Sequence, residues 1–423
     1  MLSAILNAFR VPDLRKKILF TLAIIALYRL GAFVPVPGIP VDALTEVFRA
    51  TDENSMLVFM NLFSGNALSN FSVLSLGIMP YITASIIMQL MQGVIPALQR
   101  WAREGQAGQK KITQITRYLT LVLGFINAIG YLFLFQSTQY GIVLPPDPPP
   151  LLTSAVIVFT LVAGTALIMW MGELITQRGV GNGMSLIIFA NIVAGFPSAI
   201  FQSVQTMHPA FTVMVIIIVI AVIPGIVLIE RAQRRIPINY AKRIQGRRVM
   251  GGTSTYIPLK VNGAGVIPII FASALLYFPA QLAAFFDVPW LTTFSNALTT
   301  GWVNWVLDFA LIVFFCFFYT SMVFNPEQTA ENLQKQGGFI PGVRPGSNTV
   351  TYIKNVLNRI TLPGAFYIGA IAVVPSILFS FTGDYLIRAF GGTSILIMVG
   401  VALDTMSKVE SQLKMHHYDG FFK

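Results

Sequence analysis

Residues Phe211–Ile229 read FTVMVIIIVIAVIPGIVLI, nineteen positions without a charged or amide side chain. At about 1.5 Å rise per residue, a helix of this length matches the roughly 30 Å hydrocarbon core of a bilayer. The next stretch, Glu230–Arg243, reads ERAQRRIPINYAKR, so an uncharged run gives way at once to a strongly cationic one. That boundary is the signature of a membrane span with a polar flank. Outward in both directions lie nine more apolar runs, near Ile18–Val34, Leu76–Ile95, Tyr118–Phe135, Leu151–Met171, Met184–Phe201, Gly265–Phe286, Trp302–Phe324, Ile360–Phe381 and Thr393–Met406. The whole 423-residue chain is 55% hydrophobic and 11% charged, against about 25% charged in soluble domains, and its mean hydropathy is +0.71. A soluble fold could not hide that much apolar surface. An ordinary cytosolic enzyme, a disordered chain and a disulfide scaffold are excluded; Cys316 is the single cysteine. The expectation is an all-α integral membrane protein with ten transmembrane helices.

The cations set the orientation. Of 28 lysines and arginines, 25 fall in the N-terminal segment, alternate loops and the tail, while only Arg49 and Arg388 lie in the opposite loops and Arg29 lies inside the first run. The positive-inside rule then predicts both termini in the cytoplasm. The cationic start followed by Ile18–Val34 superficially suits a signal peptide, but Pro35-Val36-Pro37-Gly38 replaces a small-residue cleavage site, so the run reads as a retained first span. Ten spans divide into halves of five, and an odd number forces the halves into opposite orientations, as in folds with a central pathway between inverted repeats. The boundary predicted is 1–205 against 206–423. The second and seventh runs carry a faint match, Gly77-Ile78-Met79-Pro80-Tyr81-Ile82 and Gly265-Val266-Ile267-Pro268-Ile269-Ile270.

Residues Asn61–Ser75 (NLFSGNALSNFSVLS) are uncharged and rich in Ser, Asn and Gly. They are too polar to span and too apolar for a free loop, which fits either an interfacial half-helix or a re-entrant element in a pore mouth. Catalytic chemistry is missing. There is no Walker A, HExxH or GxSxG motif, and His208, His416 and His417 have no partners at metal-ligand spacing. Gly179–Gly183 resembles a phosphate loop only loosely and reads as flexible glycines at a helix start. Asp308 and Asp404 lie near span ends, where hydration relieves them, and Arg29 reads as a structural arginine snorkelling to the interface. An ion-coupled transporter with inverted repeats would hold carboxylates near the midplane; their absence ranks a passive pathway above that alternative, with an intramembrane hydrolase third. The loop after Phe211–Ile229 carries eight cations from Arg231 to Lys260. They could meet anionic lipid headgroups or a large acidic or RNA-bearing partner, and interleaved Ile, Pro and Tyr favour a structured hairpin and the second reading.

Several long strings resemble the SecY family, the central subunits of bacterial protein-conducting channels. They are Gly31–Gly38 (GAFVPVPG), Gly77–Leu90 (GIMPYITASIIMQL), Arg178–Val193 (RGVGNGMSLIIFANIV), Glu230–Arg243, Pro258–Ala272 (PLKVNGAGVIPIIFA), Asn325–Gly346 (NPEQTAENLQKQGGFIPGVRPG) and Gly391–Ser394. The resemblance implies an hourglass pore between the two five-helix halves, sited in the bacterial plasma membrane, with no cofactor and no enzymatic activity. It implies a pore ring of Ile78, Ile82, Met184, Ile188, Ile270 and Ile397, with Met184 in place of the commoner isoleucine. It implies a plug around 61–71, comprising Asn61, Leu62, Phe63, Ser64, Gly65, Asn66, Ala67 and Leu68 with the residues up to Phe71. A lateral gate is implied between spans two and three and spans seven and eight, with Thr83 and Phe278 at gate positions. Loops 230–262 and 325–359, through Arg234, Arg235, Lys242, Arg243 and Arg344, would dock the SecA motor ATPase or a translating ribosome. SecE and SecG are the implied companions, and signal sequences, nascent polypeptides and anionic lipids the other contacts.

Overall fold

A computed structural model describes residues 9, 11–39, 61, 64–136, 150–206, 209–240, 243–245, 248–250, 254–286, 289–299, 301–382 and 391–419. Leu62, Phe63 and Lys242 lie outside these residues, as do the side chains of Arg243 and Phe278. In chain order the helices are α1 (Pro12–Gly31), α2 (Met79–Val94), α3 (Pro96–Arg103), α4 (Gln106–Gln136), α5 (Pro150–Arg178), α6 (Gly183–Thr206) and α7 (Pro209–Arg231). Strands β1 (Gln233–Tyr240), β2 (Arg243–Gln245), β3 (Arg248–Met250) and β4 (Ser254–Lys260) follow. Then come α8 (Ile267–Phe286), α9 (Pro289–Thr299), α10 (Gly301–Val323), α11 (Pro326–Lys335), β5 (Gly338–Phe339), α12 (Ser347–Thr382) and α13 (Gly392–Asp419).

Every one of the ten apolar runs falls on a helix, because hydrocarbon offers backbone amides no partner outside their own segment. By length and composition, seven helices among the described residues suffice to cross a membrane: α4, α5, α6, α7, α10, α12 and α13. Helix α2 makes an eighth if joined to α3, from which it is bent by 103°. The expected ten spans are therefore not reached on this criterion. Asp13, Arg15, Lys16, Lys17 and Arg29 load α1 with charge, and α8 contributes only the shorter apolar stretch Ile267–Leu276. Several helices also outrun their apolar cores. In α13 the pairs Asp404–Lys408 (2.8 Å) and Glu410–Lys414 (3.0 Å) bridge successive turns at and beyond the end of the apolar run, the spacing at which opposite charges stabilise a helix.

The outer faces are apolar and exposed: Ile217, Ile220 and Leu228 on α7, and Leu151, Phe159 and Trp170 on α5. Such a surface is matched to lipid and would aggregate in water. Inside, one continuous apolar cluster draws on α1, α2, α5, α6, α7, α8, α10, α12 and α13, on both sides of position 205 in the chain. Arg117 on α4 and Glu173 on α5 pair through both guanidinium nitrogens, Nε to Oε1 at 2.7 Å and Nη2 to Oε2 at 2.5 Å. This bidentate geometry is the strong form of an ion pair. Beside the helices, β1 and β4 form an antiparallel hairpin registered from Gln233↔Lys260 to Asn239↔Ser254. Strand β5 adds to its other edge through Asn239↔Phe339 and Tyr240↔Gly338.

Candidate functional site

The site begins at two helix starts of the same construction. Gly77 (φ +56°) precedes Ile78, Met79 and Pro80, and Gly265 (φ +64°) precedes Val266, Ile267 and Pro268. Both glycines occupy the left-handed region that disfavours a side chain. Both prolines then sit second in their helix, where a missing N–H costs nothing and the fixed φ suits the first turn. The faint sequence match is thus a shared backbone turn, and it places Ile82 and Ile270 at equivalent positions two residues beyond each proline. Asn262 fixes the second start by donating from Nδ2 to the Gly265 carbonyl (3.1 Å) and to Glu230 Oε1 at the end of α7 (2.5 Å).

From these starts the chain brings together all six of the aliphatic residues singled out in the sequence. Ile78, Ile82, Met184, Ile188, Ile270 and Ile397 come from α2 and the residue before it, α6, α8 and α13, and share the central apolar cluster. None exceeds 8% exposure and Ile397 has none. The Met184 side chain lies against Gly172 of α5, where an added Cβ would stand 2.8 Å from Met184 Cε. A flexible thioether fits the irregular space that this glycine leaves. Helix α8 packs against α2 and α4, forming a seam along the cluster. On that seam Thr83 is half-buried, and its hydroxyl donates to the Met79 carbonyl of its own helix (3.0 Å).

Against the cluster lies the semi-polar segment. Residues 65–78 form consecutive turns, and Ser64, Ala67, Leu68, Phe71, Ser72, Leu74, Ser75 and Leu76 are buried. Among its described residues Asn61 and Ser64 are helical and the backbone from Gly65 on is irregular, with most of its side chains enclosed by protein. Its polar groups are satisfied locally, Ser64 Oγ accepting from Leu68 N (3.1 Å), Asn61 Oδ1 from Ser69 N (3.0 Å), and Ser75 Oγ donating to the Ala67 carbonyl (3.0 Å). Backbone bonds Val36 N to Phe71 O and Val73 N to Val34 O, both 2.9 Å, fasten it to the stretch after α1. Leu68, Phe71 and Leu76 pack with Tyr131, Ile157 and Leu161 of α4 and α5.

Arg29 departs from expectation. Instead of snorkelling, its Nη1 donates to the Gly65 carbonyl at 2.8 Å, with the guanidinium 5.9 Å from the centre of the Phe33 ring. Asn191 and Tyr28, which sequence reasoning passed over, join it: Asn191 Nδ2 donates to Tyr28 Oη at 2.8 Å. The lone charge in the first run was the only sign of this cluster in the sequence. Asp308 also departs from expectation, since its Oδ1 is buried without a hydrogen-bond partner among the described residues. In the glycine-rich turn at 179–183 several amides are already committed within the protein. Val180 N donates to Thr21 Oγ1 (3.1 Å), Gly183 N to Thr176 Oγ1 (2.9 Å) and Met184 N to Asn182 Oδ1 (3.1 Å). Among the described residues no three His, Cys, Asp or Glu side chains gather as a metal site.

The two cationic loops share one platform. Strand β1 is hydrogen-bonded to both β4 and β5, and Ile236, Leu259, Ile340, Ile353 and Leu357 make a small core beneath the sheet. Arg234 and Arg235 are exposed on β1, and the Arg235 guanidinium lies 4.8 Å from the centre of the Tyr256 ring on β4. Arg344 is exposed between Gly342 (φ +81°) and Gly346 (φ +104°). Its carbonyl accepts from Thr349 Oγ1 at 3.0 Å, so the loop backbone is held while the guanidinium stays free to meet a partner.

Comparison with known proteins agrees with this geometry. The SecY family model matches residues 72–406. Protein translocase subunit SecY of Streptomyces coelicolor is 47% identical over 449 residues, covering all of both chains. A solved SecY channel, whose plug domain is described as stabilising the closed state and maintaining a membrane seal, superimposes with a TM-score of 0.63 at 18% identity over 93% of this chain and 91% of that one. Sec61 in the canine ribosome–channel complex of the endoplasmic reticulum gives a TM-score of 0.62 at 17% identity over the same shares.

Proposed function

The chain belongs to the SecY family and is a subunit of a protein-conducting channel, not an enzyme; on that premise we propose how its residues perform the task. Ile78, Ile82, Met184, Ile188, Ile270 and Ile397 form the ring that closes the pore. Asn61–Leu68 and the turns up to Phe71 form the plug, and the seam between α2 with α4 and α8 with α10 is the lateral gate, carrying Thr83 and Phe278. The halves 1–205 and 206–423 flank the pore. The observation that carries this reading is that residues from four separate helices share one buried, apolar cluster, whose Tyr28 donates to the Ser64 carbonyl of the segment 61–71.

The chemistry follows from what this cluster lacks. An uncharged aliphatic constriction loses its water when closed and so holds back ions. When occupied, it offers every passing side chain the same deformable apolar contact, and no group that would favour one sequence. Apolar segments partition sideways through the seam, since lipid receives them more favourably than the aqueous pore. With no nucleotide site of its own, the chain depends on partners for energy. The β1–β4–β5 platform and the Arg344 loop are the docking surface for the SecA motor and the ribosome, using Arg234, Arg235, Lys242, Arg243 and Arg344. SecE and SecG complete the complex in the bacterial plasma membrane, with both termini in the cytoplasm and anionic lipids around the cationic flanks. The inverted-repeat transporter has no support.

Cross-linking tests the reading directly. A preprotein stalled in transit carries a photoreactive residue at mid-membrane, and single cysteines replace Ile82, Ile188, Ile270 or Ile397 in a Cys316→Ser background. Adducts at these four positions and none at lipid-facing Ile217 are expected. Adducts at Ile217 alone would overturn the pore assignment.

A further inference from the structure

Two consecutive residues of α1 engage two consecutive carbonyls of the plug segment. Tyr28 Oη donates to the Ser64 carbonyl at 3.5 Å, and Arg29 Nη1 donates to the Gly65 carbonyl at 2.8 Å. Asn191 of α6 donates to Tyr28 Oη from the other side, and Tyr28 and Asn191 are both fully buried. Asn191 lies three residues after Ile188 and seven after Met184, so it sits on the same face of α6, one and two turns beyond those two ring residues. Gly65 is at φ +67°, and a Cβ there would stand 2.6 Å from Arg29 Nη1 and collide with Asn191 Oδ1. The close approach of cation and amide to bare backbone therefore requires glycine at this position.

From this arrangement we infer that Arg29, with Tyr28 and Asn191, is a latch that holds the plug under the closed ring and sets how often the resting channel opens. The inference rests on the plug reading above and adds the residue that controls it. Three features make the contact a latch and not permanent packing. The bond is charge-assisted, hence strong for a single contact. Its acceptor is a neutral carbonyl, so release leaves no buried counter-charge behind, the feature that makes breaking a buried ion pair so costly. Arg29 is only half-buried, so the guanidinium is not sealed in place by protein on every side. Among the described residues no carboxylate pairs with it. Arg29 thus ties the segment to α1, and withdrawal of the plug must break its bond.

The test measures resting ion conductance of the purified channel complex in planar bilayers, alongside preprotein export into vesicles. Arg29→Gln removes the charge and the reach. It is expected to raise resting conductance about tenfold, which corresponds to 1.4 kcal/mol, with export of a normal preprotein retained and export of a signal-defective one improved. Arg29→Lys keeps a cationic donor and is expected to restore most of the closure. Tyr28→Phe keeps the cation but loses the Ser64 and Asn191 bonds, and should give a smaller rise. Leu30→Gln, on the exposed face of the same helix, should leave conductance unchanged. Unchanged conductance in Arg29→Gln while shortening of residues 61–71 still raises it would refute the latch and leave the plug standing. If neither change raises conductance, both readings fall. A further rise on adding Arg29→Gln to the shortened channel would also refute the latch, because the cation would then be acting elsewhere.

Discussion

Replacing Ile397 by asparagine puts an amide into a position with no solvent exposure, inside the buried apolar cluster that also holds Ile78, Ile82, Met184, Ile188 and Ile270. None of these side chains can donate to its oxygen or accept from its nitrogen. A buried amide without partners costs on the order of 1–3 kcal/mol by mutational measure. The cost falls on the closed state alone, since opening the ring admits water that satisfies the amide. A difference of about 1.4 kcal/mol raises a minor open population roughly tenfold, and about 2.7 kcal/mol raises it roughly a hundredfold. The mutant should therefore export preproteins with defective signal sequences, which supply too little binding energy to open the native channel. Ile371→Asn is the control. Ile371 on α12 is half-buried at the edge of the same cluster, so the same substitution should lower stability in open and closed states alike, without any gain in export. The assay is secretion of a signal-defective reporter, normalised to the amount of inserted channel. Equal behaviour of the two mutants, or loss of export in both, would show that Ile397 is ordinary helix packing and that the ring lies elsewhere.

Other perturbations test other parts of the molecule. Arg344→Glu reverses an exposed charge on a loop whose backbone is held independently. The protein should insert normally yet fail in SecA- and ATP-driven translocation into vesicles, and wild-type rates would exclude this docking role. Shortening residues 61–71 should raise resting conductance while export persists, because a plug closes a pore and does not drive transport. Glu173→Gln leaves the Arg117 guanidinium half-buried without its carboxylate; a loss on the order of 1–3 kcal/mol should appear as a lower unfolding temperature in detergent, with resting conductance unchanged.

Much of the site was legible in the chain. The Gly-apolar-apolar-Pro repeat at Gly77 and Gly265 became two matching helix starts, and the semi-polar stretch from Gly65 to Ser75 became largely enclosed turns. The hairpin expected from Ile, Pro and Tyr among the cations is β1 with β4. The addition of β5 to that hairpin was not legible, because a two-residue strand has no pattern of its own and pairs only when its neighbours position it. Nor was the bond from Arg29 to Gly65, since its acceptor is a backbone carbonyl, which every residue possesses and no sequence motif marks.

Composition alone determined that this is a multi-span helical membrane protein, because only helices satisfy long uncharged backbone in hydrocarbon. The tertiary structure decided which isoleucines are enclosed and which are exposed. Ile217 on α7 is 61% exposed towards lipid, and Ile397 on α13 is fully enclosed, yet both stand in equally apolar runs. In water a helix advertises its buried face by turning polar residues outward. In a bilayer both faces meet apolar surroundings, lipid on one side and protein on the other. The periodic signal that would separate ring from rim is then erased, and only the packing of α2, α6, α8 and α13 around one point restores it.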